Sequence, residues 1–197
     1  MTTVPRQNRR HSAALLVLGL APAAACADVI EVDGMAPYES CGYCHGLDGN
    51  SGRAGFPRLG GQQAAYLRKQ LEDFRAGRRG DQHHPMRTAA RALSEPELDE
   101  VVRHFAAQMP PAADTLPELY RSGRKGLAPC AGCHGEHGEG RAAVPRLAGQ
   151  QPEYLRAQLL AFRRGERRND GGVMGAVARA LREDEIALLA AALGARP

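Results

Sequence analysis

The apolar positions of this chain fall at helical spacing in two long stretches that copy one another. From Gln62 to Arg75, the residues Tyr66, Leu67, Gln70, Leu71 and Phe74 share one face of a 3.6-residue period. From Gln151 to Arg164, Tyr154, Leu155, Gln158, Leu159 and Phe162 do the same. Ser94 with Glu97 three residues on forms a capping box, which predicts a further helix packing Leu98, Val101, Val102 and Phe105. Its counterpart, Glu183 to Leu193, has Arg182 where the serine would stand, so its start is less sharply marked. No stretch alternates apolar and polar residues as a half-buried strand does. The pattern predicts an all-α fold.

One apolar run lacks a polar face. It extends from Ser12 to about Ala25, behind Arg6, Arg9 and Arg10, and ends in Ala25-Cys26-Ala27. This is the layout of a secretory signal peptide over residues 1–27, with the mature chain starting near Asp28. The run is shorter than the ~20 residues a spanning helix needs. An exported, periplasmic protein is expected. The residues after Arg9-Arg10 do not support twin-arginine export. Cys26 is expected to leave with the leader; the alternative, a lipid anchor on it, would add peripheral membrane association. Loss of the leader removes three arginines and no acid, taking the net charge from +4 to about +1. That near-neutral balance, with the export signal, argues against nucleic acid as a partner.

An internal repeat covers nearly the whole mature chain. CGYCHGLDGNSGRAGFPRLGGQQAAYLRKQLEDFRAGRR aligns with CAGCHGEHGEGRAAVPRLAGQQPEYLRAQLLAFRRGERR at an offset of 89 residues that becomes 88 after one gap. Between the units, MPPAADTLPE contains Pro110, Pro111 and Pro117, which break helix. Expected domains are residues 28–109 and 117–197, with 110–116 as linker. Units near 80 residues have marginal cores, which a buried cofactor would complete. Only about a dozen mature residues precede Cys41, interrupted by Pro37, whereas Leu116 to Lys125 can form a helix before the second motif.

Each unit carries Cys-x-x-Cys-His, the attachment signature of c-type haem: Cys41, Cys44 and His45 in the first, Cys130, Cys133 and His134 in the second. Paired thiols at this spacing add across the haem vinyl groups, and the adjoining His ligates iron. A redox dithiol or a zinc half-site would use the same thiols. Against both, each copy carries the His, and no further Cys pair exists to complete a zinc cluster. Two covalently bound haem c groups are expected.

Met86 follows His45 by 41 residues and Met174 follows His134 by 40. Their matched positions, read as loops, predict two His/Met haems; a thioether ligand raises the potential and closes the iron to substrate. A methionine can also be mere core filler, the reading kept for Met35 and Met109, which have no counterparts. His83 and His84 precede Met86 and could compete for the first iron, whereas Gly171 and Gly172 stand in the second copy. A backbone carbonyl in the segments at Pro57 or Pro145 could accept the Nδ1 proton of the ligating His, and either could equally be a simple turn. Arg58 and Arg146 could neutralise propionates or be solvated surface charge. The clusters Arg75/Arg78/Arg79 and Arg163/Arg164/Arg167/Arg168 suit helix C-termini on dipole grounds, or a docking patch for an acidic partner.

The segments CHGLDGNSG, FPRLGGQQAAYLRKQLEDFRAGRR and MRTAARALSEPEL, repeated as CHGEHGEG, VPRLAGQQPEYLRAQLLAFRRGERR and MGAVARALREDEI, resemble the dihaem cytochrome c4 family over about residues 38–193. The resemblance implies two tandem class I cytochrome c domains, each wrapped around one covalent haem and related by a pseudo-two-fold axis. It implies haem attachment by Cys41, Cys44, Cys130 and Cys133, and iron ligation by His45, Met86, His134 and Met174. It implies an electron-transfer protein rather than an enzyme, carrying single electrons in the periplasm. The implied donor is a quinol-oxidising complex or dehydrogenase, and the implied acceptor a haem-copper oxidase. Two rivals share the pattern: the dihaem subunit of a flavocytochrome dehydrogenase, and a dihaem enzyme such as thiosulfate dehydrogenase.

Overall fold

The computed structural model describes residues 34–80, 86–113 and 115–194. The segment read as a signal peptide, with Cys26, and His83 and His84 lie outside them. Nine helices are found among the described residues: α1 (Pro37–His45), α2 (Ala64–Arg75), α3 (Met86–Ala92), α4 (Glu95–Ala106), α5 (Glu118–Ser122), α6 (Ala131–His134), α7 (Pro152–Arg164), α8 (Val173–Ala180) and α9 (Glu183–Leu193). Three isolated bridges are the only extended pairings among these residues, so the all-α expectation holds.

Each half is built on its long amphipathic helix. In the first, α2 packs against α3 and α4, and α1 against α4. Leu67, Leu98, Val101, Val102 and Phe105 form the core, with Tyr38, Cys41, Leu59 and Leu71 packed on it. In the second, α7 packs against α8 and α9. Leu155, Ile186, Leu189 and Leu193 join Leu116, Tyr120 and Leu127 in one cluster. Part of the stripe read from sequence, Leu67 and Leu71 on α2 and Leu155 and Leu159 on α7, packs into the core of its half.

Four details differ from the sequence reading. Pro37 does not interrupt a helix; it opens α1, where its fixed φ and missing N–H cost nothing. Met86 and Met174 are not in loops, since they stand in the first turns of α3 and α8. The helix expected over Leu116 to Lys125 is only α5, ended by Gly123 at φ 65°. The capping box at Ser94 is half used: Glu97 accepts the Ser94 backbone N–H at 2.7 Å, while the Ser94 hydroxyl also donates to Glu97. Without a serine, α9 does likewise, Glu185 accepting the Arg182 N–H at 2.7 Å.

No helix lies between Ala106 and Glu118 among the described residues. In the connection, Pro110 and Pro111 lie against two matched glycines. Gly61 N–H donates to Phe105 O at 2.9 Å and Gly149 N–H to Leu193 O at 2.8 Å, each tying its loop to the last helix of its half. Gly61 has φ 63°, and a Cβ there would sit 2.5 Å from Pro110 Cδ; Gly149 has φ 78°, and its Cβ would sit 2.1 Å from Pro111 O. Both the left-handed backbone and the close approach require glycine.

Candidate haem sites and the junction between them

The two motifs end on short helical turns followed by glycines at φ 82° and 83°, Gly46 and Gly135, which reverse the chain directly after each His. On α1, Cys41 and Cys44 are three residues apart and so lie on one face with His45 beside them. None of the four motif cysteines is in a disulfide. Burial pushes the Cys41 thiol up to about 11, and it donates to Pro37 O at 3.3 Å. Cys130 is raised for the same reason.

The two histidines are buried and identically oriented. His45 Nδ1 lies 2.9 Å from Pro57 O and His134 Nδ1 lies 3.0 Å from Pro145 O. A carbonyl can only accept, so Nδ1 carries the hydrogen and the basic lone pair of each ring is on Nε2. Burial also pushes His134 below its usual value, which favours neutral imidazole. That is the form able to bind iron. Phe56 meets His45 edge-on at 6.1 Å. Met86 and Met174 are half-buried. Their helices pack on α2 and α7, while His45 is carried by α1, which packs on α4. Paired thiols, a buried imidazole with fixed tautomer and a thioether on a packed helix suit a covalent haem in each half.

Between the halves lies a second constellation, which the sequence reading did not assemble. The Gln150 amide accepts the Arg58 backbone N–H at 2.7 Å and donates to Arg58 O at 2.9 Å. The Gln62 amide does the same to Arg146, at 2.7 and 3.0 Å. Gln151 donates to Ser51 O, and Gln63 to Glu139 O at 2.9 Å. Every pair maps onto its partner under the 88-residue offset, so the junction has the pseudo-two-fold symmetry of the repeat. Arg58 is not a surface charge: it is 6% exposed, and its guanidinium donates to Gly149 O at 2.7 Å.

Arg79 and Arg167 are buried in the same junction, each 8% exposed. For these two residues the burial rules out the alternative of a docking patch. Arg79 stacks on Phe74 at 4.5 Å, then reaches across to Tyr154 Oη at 2.7 Å and Gln158 Oε1 at 3.3 Å. Arg167 stacks on Phe162 at 4.6 Å and reaches Tyr66 Oη and Gln70 Oε1, both at 3.0 Å. Burial alone would push the Tyr66 phenol up, but the Arg167 and Arg79 guanidiniums outweigh it and leave it below its usual value. The sequence signal was present in Gln70 and Gln158, polar residues repeated on otherwise apolar helix faces. One part is asymmetric: Asn169 donates to Gln70 at 2.9 Å and to the buried Asp73 carboxylate at 2.7 Å, where Lys69 and Arg78 also bind. Ala157 and Ala161 stand at the positions matching Lys69 and Asp73.

The cytochrome c family model matches residues 32–106 and 121–191, one match per half. Cytochrome c4 of Azotobacter vinelandii is 37% identical over 196 residues, covering 89% of this chain and 92% of its own. The thiosulfate dehydrogenase electron acceptor of Stutzerimonas stutzeri (strain A1501) is 40% identical over 166 residues, covering 77% and 76%. Among solved structures, reduced recombinant cytochrome c4 from Pseudomonas stutzeri superposes with a TM-score of 0.72 at 34% identity, over 80% of this chain and 95% of that one. The fold and paired motifs define a cytochrome c with tandem domains. The chain belongs to the dihaem cytochrome c4 family and carries two covalently bound haem c groups. It is an electron-transfer protein that works with redox partners.

Proposed function

We propose that the chain is a periplasmic shuttle that takes single electrons from a quinol-oxidising complex or dehydrogenase and delivers them to a haem-copper oxidase. The supporting observation is the junction. Two haem-bearing halves locked by matched hydrogen bonds form one rigid conductor. In this reading Cys41, Cys44, Cys130 and Cys133 attach the haems; His45 and His134 are the proximal ligands, Met86 and Met174 the distal ones. The domains run over residues 28–109 and 117–197 with 110–116 between them, behind a signal peptide of 1–27. Among the described residues no helix is long and apolar enough to cross a membrane.

A bound haem c supplies reversible one-electron storage at iron, with Met ligation favouring the ferrous state. The chain's own residues do the rest. Pro57 and Pro145 fix the tautomer of the histidines and strengthen their donation. Buried apolar helices exclude water. The junction side chains Gln62, Gln150, Arg79 and Arg167 hold the halves at one spacing, which keeps transfer between them fast.

One relative favours a second reading. The likeness to a thiosulfate dehydrogenase electron acceptor supports a dehydrogenase as the electron source. Stopped-flow mixing tests both ends: the reduced protein with a solubilised haem-copper oxidase, and the oxidised protein with thiosulfate and thiosulfate dehydrogenase. Rapid oxidation in the first supports the shuttle. Oxidation no faster than by dissolved oxygen, with rapid reduction in the second, would reassign it as a dehydrogenase subunit.

A further inference from the structure

The segment that delivers Met174 is anchored by the other half of the molecule. It leaves the buried Arg167, runs Arg168-Asn169-Asp170-Gly171-Gly172 and enters α8, whose first turn carries Met174. Gly171 and Gly172 both take left-handed backbone, at φ 71° and 89°, with nothing within 4 Å of an added Cβ. Two glycines with open space beside them do little to hold a segment in one place. Its side chains do so instead. The Asp170 carboxylate accepts the N–H of Gly172 at 3.2 Å and of Met174 at 2.5 Å, which fixes the start of α8. Asn169, one residue earlier, is held from the first half. Lys69 Nζ donates to its carbonyl at 2.6 Å, and its amide donates to Asp73 Oδ2 at 2.7 Å and to Gln70 Oε1 at 2.9 Å.

We propose that Asp73, acting through Asn169, is a positioning residue for Met174, so that the first half sets how firmly the second haem keeps its methionine. The inference rests on the reading of Met174 as a ligand to the second iron. Asp73 stands on α2 and is 3% exposed. One of its oxygens takes Lys69 as well as Asn169, and the other takes Arg78 at 2.7 Å. Burial works against its charge, but the hydrogen bonds from Lys69, Asn169 and Arg78 outweigh it and hold the carboxyl below its usual range. An ionised acceptor bound by three donors in a buried network has one geometry, and Asn169 is fixed with it. The repeat does not return the tie. Ala157 and Ala161 match Lys69 and Asp73, so the second half has neither an ammonium nor a carboxylate at those places to offer the segment before Met86.

The test is stopped-flow binding of imidazole to the fully oxidised, haem-loaded full chain, followed by loss of the Met-to-ferric-iron charge-transfer band. Imidazole is a good ligand for iron. It enters only when the thioether leaves, so its rate of entry reads how firmly each methionine is held. Met86→His and Met174→His each leave one methionine and report one haem at a time. Asp73→Ala should speed entry about tenfold or more in the Met86→His background, the scale of one hydrogen bond to a charged group. In the Met174→His background it should change nothing. An unaltered rate in the Met86→His background overturns the proposal, and so does equal acceleration in both, which would mean a general loosening of the junction. If Asp73→Ala loads haem poorly, Asn169→Ala decides, because it leaves Asp73 paired with Lys69 and Arg78: it should show the same one-sided acceleration, and an unaltered rate contradicts the proposal. A charge-transfer band missing from Met86→His with Asp73 in place would instead contradict Met174 as a ligand, and this proposal with it.

Discussion

The amide of Gln62 grips both backbone polar groups of Arg146, accepting its N–H at 2.7 Å and donating to its carbonyl at 3.0 Å. The matched amide of Gln150 treats Arg58 in the same way from the other side. Such a pairing satisfies two main-chain groups with one side chain, so its loss leaves both without partners. Gln62→Ala should destabilise the haem-loaded protein by about 2 kcal/mol, the cost of stranding buried donors and acceptors. Thermal unfolding of the variant checks this.

The two arginines at the centre share their acceptors. Gln70 accepts from both Arg79 and Arg167, and so does Gln158. Side chains in one network are not additive, with coupling of about 0.5–3 kcal/mol. Replacing Arg79 and Arg167 by Met, singly and together, should therefore cost less together than the two single losses combined. Strict additivity in denaturant unfolding would mean that the two sides act independently.

Gly149 offers a sharper steric test. At φ 78° with Pro111 O 2.1 Å from the position of an added Cβ, Gly149→Ala must move the connection as well as strain the backbone. A loss of about 2 kcal/mol or more is expected, since left-handed strain alone costs roughly 1–2. Gly171→Ala, with φ 71° but nothing within 4 Å of its Cβ, is the control and should lose only the strain contribution.

The fold of each half was legible because it follows from local rules. Leu67, Phe74, Leu155 and Phe162 recur at helical spacing, and the same stripe that predicts a helix becomes its buried face. The haem motifs were legible because their spacing is short and specific. The junction was not, since Gln62 and Arg146 are 84 residues apart and neither looks unusual in its own segment. Arg79 and Arg167 read as helix-end cations, and only the folded chain shows that they stack back on phenylalanines and point across the junction. Met86 and Met174 were placed correctly in the repeat yet given the wrong local structure, because the short helices α3 and α8 have too few turns to show a period.

In the second domain, Glu185 on α9 accepts from the Arg124 guanidinium at 2.7 and 2.9 Å and from the Arg182 backbone, which hold its carboxyl at about 2. A carboxyl lowered in the folded state contributes stability that is present above its ordinary value near 4.5 and is lost as pH falls from there to about 2. An acid titration followed by circular dichroism should show helix loss in this window. Glu185→Gln should be less stable at neutral pH and show a shallower decline through the same window. A decline equally steep in the variant would assign the acid sensitivity elsewhere.

The central claim, two haems each held between a motif histidine and a repeated methionine, is tested most directly by the weak long-wavelength Met-to-ferric-iron charge-transfer band. It should be followed through a full reductive titration of the haem-loaded protein. The band should account for two ferric haems and vanish in two one-electron steps; Met174→His should remove half of it and lower one potential by a fraction of the roughly 0.8 V that axial ligands span. A band corresponding to a single haem in the unaltered protein would contradict the claim, because one of the two irons would then lack its methionine.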